Sequence, residues 1–439
     1  MRILALASIL LCAENIKSSA TPFFHLCLLN ERQPLTDKNK TGPGNLGKSL
    51  DPVYQSFELD EWLRGELIYR KVRGWNPTSS SRLPPSKQFA RGMEKFCSEV
   101  PKIELHAHLS GSISQTTLLN ILGVDQSESL MKRVALKQGD QRTLDDRCFA
   151  LFHLLHNAIR SPDIVERVTI DVVEEFASDG VIYLELRTTV RSLPTYRAYL
   201  DAVLRGLSNA SSITHGEIDV CLLFSIDRAR GIDDAWMTVD LLKEYAPSWP
   251  EVLVGIELSG NPKIGNLLDF VEPLNCVQAL GLKTSVHLAE LPNEGEQWLE
   301  FLQCHTPDRI GHGTHLPTPD TPGDDTPAFK ARDLILSSRT PIEICLTSNI
   351  VCETELTYES HHLASWVQAG HPVCICTDDK GIFGCSSSSE LVKAVEHCGV
   401  SKSQLRHILK DSARAAFCSE ATKTKLLNQI TAFFDACAL

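Results

Sequence analysis

No Cys-x-x-Cys pair occurs anywhere in the 439 residues, although the chain holds 15 cysteines. The nearest two, Cys374 and Cys376, lie inside an apolar run. Thiols scattered in this way fit packing in a reducing compartment better than a disulfide framework. The same absence removes the zinc site built from H-x-E and a downstream P-C-x-x-C, since His215-Gly216-Glu217 supplies only its first half. No stretch approaches the ~20 apolar residues of a membrane span. No G-x-G-x-x-G follows the first strand-like segment, which weakens an open dinucleotide-binding sheet. Positive charge is also short: 43 Lys and Arg against 55 Asp and Glu leave a net charge of −12. Neither nucleic acid nor an anionic membrane is the partner expected of such a chain.

What remains is ordinary globular composition, 43% hydrophobic and 22% charged. Residues 1–92 read as an extension, largely disordered or irregular. Segments 31–51 and 75–89 are polar and rich in Pro, Gly, Ser and Lys, with one helix expected over 54–73. An apolar run at 3–12 behind Arg2 is weakly like a signal sequence. Its basic region is poor and Cys12-Ala13-Glu14 is an indifferent cleavage site, so the expectation is a cytoplasmic protein.

From Met93 onward strand-like runs alternate with helical patterns, which predicts one domain over 93–439 with helices at its C-terminal end. Eight strands are expected, at 103–109, 181–189, 218–227, 252–259, 284–289, 309–312, 342–348 and 373–377. Their unbroken apolar character suits strands buried on both faces. Helices are expected between them at 162–178, 196–208, 233–245, 267–280, 294–304, 328–338 and 359–369, with a longer one around 148–160. Eight β/α alternations predict a parallel (β/α)₈ barrel, the TIM fold. Polar residues gather at the strand ends: His106/His108, Glu185/Arg187, Asp227, Glu257/Gly260, His287/Glu290, His312, Thr347/Ser348/Asn349 and Asp378/Asp379. Barrel enzymes build their sites at that end.

His106 and His108, two apart on a strand, project from one face and make half of a metal site. With His287 and Asp378 they supply a few His and carboxylate donors, as a catalytic ion requires. Strands one and eight are neighbours in a closed barrel, so Asp378 reaches both histidines. Glu290, three residues past His287, is placed to give a proton to a substrate. His312, between two glycines, could orient or deprotonate an attacking water, and Asp379 could accept a hydrogen bond from water or substrate.

The segments Glu104-Leu105-His106-Ala107-His108-Leu109-Ser110-Gly111-Ser112, Gly255-Ile256-Glu257-Leu258-Ser259-Gly260-Asn261-Pro262, His287-Leu288-Ala289-Glu290, Arg309-Ile310-Gly311-His312-Gly313-Thr314 and Thr377-Asp378-Asp379-Lys380 resemble the adenosine/AMP deaminase family over residues 93–420. Cys345-Leu346-Thr347-Ser348-Asn349 and Thr377-Asp378-Asp379-Lys380-Gly381 are more similar to its adenosine deaminase-like branch. The resemblance implies a (β/α)₈ hydrolase with one zinc ion per chain, held by His106, His108, His287 and Asp378. It implies hydrolytic deamination at C6 of N6-substituted purine monophosphates such as N6-methyl-AMP, giving IMP and an amine. Glu290 becomes the donor to purine N1, His312 positions the attacking water, Asp379 contacts the base, and Gly260 offers its backbone to the purine. Further substrate contacts implied are His108, Ser110, His156, Thr188, Thr189, Val190, Arg191 and Asp227; a phosphate needs cations or N–H and hydroxyl donors, for which Lys380, Arg191, Thr188, Thr189 and Ser110 are candidates. Ser110, Val190, Ala289 and Asn261 depart from the branch's usual residues, near where the ribose phosphate would bind. The alternatives are an adenosine deaminase acting on the free nucleoside and a non-catalytic purine-binding relative. A monomer is expected.

Overall fold

The computed structural model describes residues 85–122, 155 and 158–437. Most of the expected N-terminal extension, its helix over 54–73, most of the helix expected over 148–160, and His156 lie outside them. A first helix, α1 (Pro85–Glu99), straddles the expected domain start and leads into β1 (Lys102–His108). Seven parallel strands follow in chain order: β2 (Val181–Thr189), β3 (Asp219–Asp227), β4 (Leu253–Ser259), β5 (Lys283–Leu288), β6 (Arg309–His312), β7 (Ile342–Ile344) and β8 (Val373–Ile375).

Helices cover the outside. Between β1 and β2 lie α2 (Gln115–Leu122) and α3 (Pro162–Ser178); α4 (Tyr196–Ile213), α5 (Ile232–Tyr245), α6 (Val271–Ala279), α7 (Gly295–Cys304) and α8 (Pro327–Ser338) each follow the next strand in turn. Two short helices, α9 (Leu346–Val351) and α10 (Leu363–Gln368), follow β7. After β8 come α11 (Lys380–Phe383), α12 (Ser387–Glu396), α13 (Lys402–Ala415) and α14 (Glu420–Cys437). Local chemistry sets several starts. Ser161 caps α3, accepting from Ile164 N at 3.3 Å with Pro162 at the first helical position. Ser386 and Ser389 cap α12 reciprocally. Among the described residues no helix is long and apolar enough to cross a membrane.

The barrel closes just beyond β8. Asp378 N donates to His106 O at 2.8 Å and His108 N to Asp378 O at 3.2 Å, bridging the two ends of the sheet. The strand expected over 342–348 stops at Ile344, and Thr347, Ser348 and Asn349 instead occupy α9. Strand residues facing the helices are apolar, as in Leu184, Leu222 and Ile256. The lumen is different: Glu185, Arg187, Glu257, Arg309 and Glu343 fill it, all fully buried. Glu185, Arg187 and Glu257 therefore do not stand on the rim, where the sequence pattern put them, but below it.

One irregularity decides what the lumen receives. Ile103 and Glu104 pair with Tyr183 and Leu184, but Ala107 and His108 pair with Leu186 and Arg187, so β1 carries one extra residue. Simple alternation would put Glu104 and His106 on one face. The bulge separates them: Glu104 accepts from Ser387 Oγ, at the start of α12, at 3.0 Å, while His106 meets Glu343 in the lumen.

Candidate metal and substrate site

Four imidazoles crowd the mouth of the lumen. The His106 ring centroid lies 5.2 Å from that of His108, 4.7 Å from His287 and 5.0 Å from His312. Asp378 Oδ1 stands 3.5 Å from His106 Nε2 and 3.3 Å from His108 Nε2. Donor atoms of His106, His287, His312 and Asp378 converge closely enough to share one ion, as do those of His106, His108, Glu257 and His287. The tips that deliver these groups hold left-handed backbone at non-glycine residues, with φ of 59° at Ala289, 61° at His312 and 59° at Asp378. Such conformations persist only where surrounding structure imposes them, and they cluster at functional sites.

The lumen network supports the cluster from below. Glu343 Oε2 lies 2.8 Å from His106 Nδ1 and accepts from Arg187 at 2.5 Å; its other oxygen accepts from Arg309 Nε at 2.5 Å. Arg187 also donates to Glu257 at 2.6 Å, and Glu257 faces Nδ1 of His108 at 3.3 Å and of His287 at 3.8 Å. Arg309 bridges on to Glu185, which accepts from Phe417 N at 2.5 Å.

Electrostatics follow from this packing. Burial and Arg187 oppose protonation of His106, yet the adjacent Asp378 and Glu343 carboxylates prevail and raise its pKa to about 9. Burial and the neighbouring imidazoles push His287 well below its usual value. Burial likewise takes His312 down to about 3. Asp378 is held well below the usual carboxylate range despite its burial, because His106, His312 and His108 surround it.

The arrangement fits a divalent cation on two independent grounds. His106 Nε2 and His287 Nδ1 are buried without a hydrogen bond. Four buried carboxylates, Glu185, Glu257, Glu343 and Asp378, face two guanidinium groups, Arg187 and Arg309. Even with His106 protonated, that leaves one uncompensated negative charge in a low-dielectric interior, where unpaired charge is expensive.

Above the cluster opens a cavity of about 480 Å³. Of the residues expected to act there, His108, Ser110, Thr189, Asp227, Gly260, His287, Glu290, His312, Asp378 and Asp379 line it. The Glu290 carboxylate lies 3.8 Å from His312 Nε2. Gly260, at φ 96°, lets the chain pass over Asp227, whose Oδ1 a Cβ would meet at 2.2 Å. The remaining candidates are placed elsewhere. Lys380 Nζ turns away from the cavity and pairs with Glu175 of α3, beside the Phe176 ring. Thr188 bonds Tyr199 OH at 2.6 Å, Arg191 lies over the Tyr199 ring, and Val190 is buried with its carbonyl held by Arg230. The expected phosphate cations Lys380 and Arg191 are thus not on the cavity wall; Lys263 is.

Sequence reasoning missed Glu343 and the two histidines after α9. Glu343 carried a signal: it is the lone charge in Pro341-Ile342-Glu343-Ile344-Cys345-Leu346, an otherwise apolar buried strand. His361 and His362 carried none, because their roles depend on a turn that brings them back to β6.

A family model described as adenosine deaminase matches residues 101–433. The chain is 37% identical over 336 residues to the N6-methyl-AMP deaminase of Homo sapiens, covering 75% of this chain and 92% of that protein. A crystal structure of the Arabidopsis N6-mAMP deaminase is similar with a TM-score of 0.66 at 34% identity, covering 77% of this chain and 99% of that one. The Arabidopsis protein complexed with IMP gives a TM-score of 0.67 at 35% identity, covering 77% and 98%.

Proposed function

This chain belongs to the adenosine deaminase family, and we propose that it is a zinc-dependent hydrolase converting N6-methyl-AMP and water to IMP and methylamine. One observation carries the reading: Glu290 lines the same cavity as the histidine–aspartate cluster, 3.8 Å from His312. A proton donor and a site for activating water then face one bound base. His106, His108, His287 and Asp378 would hold the ion, a donor set suited to Zn²⁺ with a position left open. Bound there, a divalent ion supplies water whose pKa is lowered towards 7.

The chain's own groups do the rest. Glu290 gives a proton to purine N1, which draws electrons from C6. Asp379, 5% exposed on the cavity wall, accepts a hydrogen bond from the base or the water. His312 orients the water at the face of C6. A C6–O bond forms and the C6–N6 bond breaks; of the two protons of the water, one restores Glu290 and the other is taken up by the nitrogen, which leaves with its electron pair as methylamine. The names of the relatives support a nucleotide substrate, as does the complex of one of them with IMP.

The test is a panel of N6-methyl-AMP, AMP and adenosine with the purified full chain, run beside Glu290→Gln. N6-methyl-AMP should be turned over fastest, and the variant should lose roughly 10²–10⁴-fold in kcat. A variant that kept most of its rate would overturn the assignment of Glu290.

A further inference from the structure

His361 and His362 stack with ring centroids 4.3 Å apart, and both act on His312 from outside the cavity. Together with Glu355 they form a cluster close enough to suggest a second metal site. Their nitrogens are already engaged. His362 Nδ1 lies 2.8 Å from Glu355 Oε1, and its Nε2 donates to the His312 carbonyl at 3.2 Å, anchoring the left-handed backbone there.

His361 reaches the His312 ring through Asn349, along a path whose hydrogen-bond directions are set from a backbone donor. Leu363 N, a backbone donor, donates to His361 Nδ1 at 3.2 Å. A neutral His361 therefore carries its proton on Nε2, which donates to Asn349 Oδ1 at 3.2 Å. With its oxygen turned to His361, the Asn349 amide nitrogen faces His312 Nδ1 at 3.4 Å, Thr314 Oγ1 at 3.2 Å and Thr354 Oγ1 at 3.3 Å. Thr354 spends its own hydrogen on Asn349 O at 3.1 Å, so its oxygen is left to accept. An amide nitrogen only donates, so toward Asn349 the His312 Nδ1 is an acceptor, sharing the two amide hydrogens with the two threonine oxygens.

We propose that His361 is a positioning residue which, through Asn349, holds His312 as the tautomer protonated on Nε2, so that this ring offers a donor to the cavity and does not ligate the metal. A ring whose Nδ1 accepts carries its one proton on Nε2, so the choice of tautomer decides its chemistry. Its Nε2 faces two acceptors, Glu290 Oε1 at 3.8 Å and Asp378 Oδ2 at 3.9 Å. A lone pair there would meet the negative charge of the Asp378 carboxylate. Of the groups that converge on the ion, His312 is thereby set apart as the one that orders water by donating to it. The inference rests on the reading of the cavity given above, and its spectroscopic test does not depend on turnover.

The experiment uses the full zinc-loaded chain with ¹⁵N-labelled histidine rings and long-range ¹⁵N–¹H correlation, the His312 signals being assigned by their loss in His312→Gln. The expected spectrum has His312 Nδ1 unprotonated and Nε2 protonated. In His361→Ala the amide of Asn349 is released, and a population protonated on Nδ1 should appear, with kcat down about 10-fold and KM and zinc content unchanged. His361→Gln, which keeps a donor and an acceptor, should restore at least half of the rate. Asn349→Asp is the second variant: a carboxylate cannot donate, so His312 should switch to the Nδ1-protonated form. Wild-type His312 protonated on Nδ1, or unchanged His312 signals in both His361→Ala and Asn349→Asp, would overturn the proposal. A chain with the expected tautomer and no purine deaminase activity upholds this proposal and sinks the functional reading instead.

Discussion

Glu343 Oε2 and His106 Nδ1 stand 2.8 Å apart, with both side chains wholly removed from solvent. A carboxylate on the far nitrogen of a metal-binding imidazole fixes the ring's orientation and raises its basicity. Glu343→Gln keeps the shape and removes the charge. Zinc should then leave the protein roughly 10–100-fold faster under a chelator challenge, followed with a chromogenic zinc indicator. An unchanged release rate would show that the charge of Glu343 is not needed to orient His106.

The pairing of Lys380 with Glu175 holds that lysine off the cavity wall. Lys380→Ala should raise KM for nucleotide and nucleoside substrates by the same factor. It should also lower stability by about 1 kcal/mol, seen in chemical denaturation. A KM effect confined to the nucleotide would return Lys380 to the phosphate site.

Gly111 packs directly on the carboxylate of Asp379: a Cβ there would lie 1.6 Å from Oδ1. Gly111→Ala must displace either the β1 loop or Asp379, and kcat should fall at least ~10-fold, as misplacement at an active site does. Gly92→Ala is the control. Nothing lies within 4 Å of a Cβ at that position in α1, and the change should stabilise by up to ~1 kcal/mol.

His305, far from the cavity at the end of α7, is held at about 4 because it is buried. Its Nδ1 lies 2.7 Å from Asn275 Oδ1 and its Nε2 3.2 Å from Thr284 Oγ1. The unfolded chain takes up a proton here near pH 6.5, whereas the folded chain does so only near 4. Between those values the unfolded state binds more protons, so stability falls as pH falls through that window, by up to about 3 kcal/mol. His305→Asn should flatten the dependence of denaturation midpoint on pH between 6.5 and 4. An unaltered slope would place the effect on other buried histidines.

Much of this molecule was legible in one dimension. Unbroken apolar strands alternating with helices predict a closed parallel barrel, because only strands covered on both faces read that way. His106, His108, His287, Glu290, His312, Asp378 and Asp379 were each recognisable at a strand tip, since β/α order alone delivers those tips to one rim. The phosphate candidates Lys380, Thr188 and Arg191 were not resolved, because the direction in which a tip residue points depends on local register and on partners such as Glu175 and Tyr199. Glu104 and His106 make the same point within one strand: alternation gives them one face, and a single bulged residue gives them two.

The His106-Ala107-His108 motif thus divides cleanly. That His106 and His108 stand as a candidate metal pair follows from residue type and spacing, together with a histidine on the fifth strand and an aspartate on the eighth, which chain order makes the neighbour of the first. Which nitrogen each imidazole turns to the centre is decided by Glu343, Glu257 and Arg187, and for His312 by Asn349 and His361. Those partners lie tens to hundreds of residues away in the chain, and a proton's position on a ring is set by hydrogen bonds that exist only once the barrel has closed.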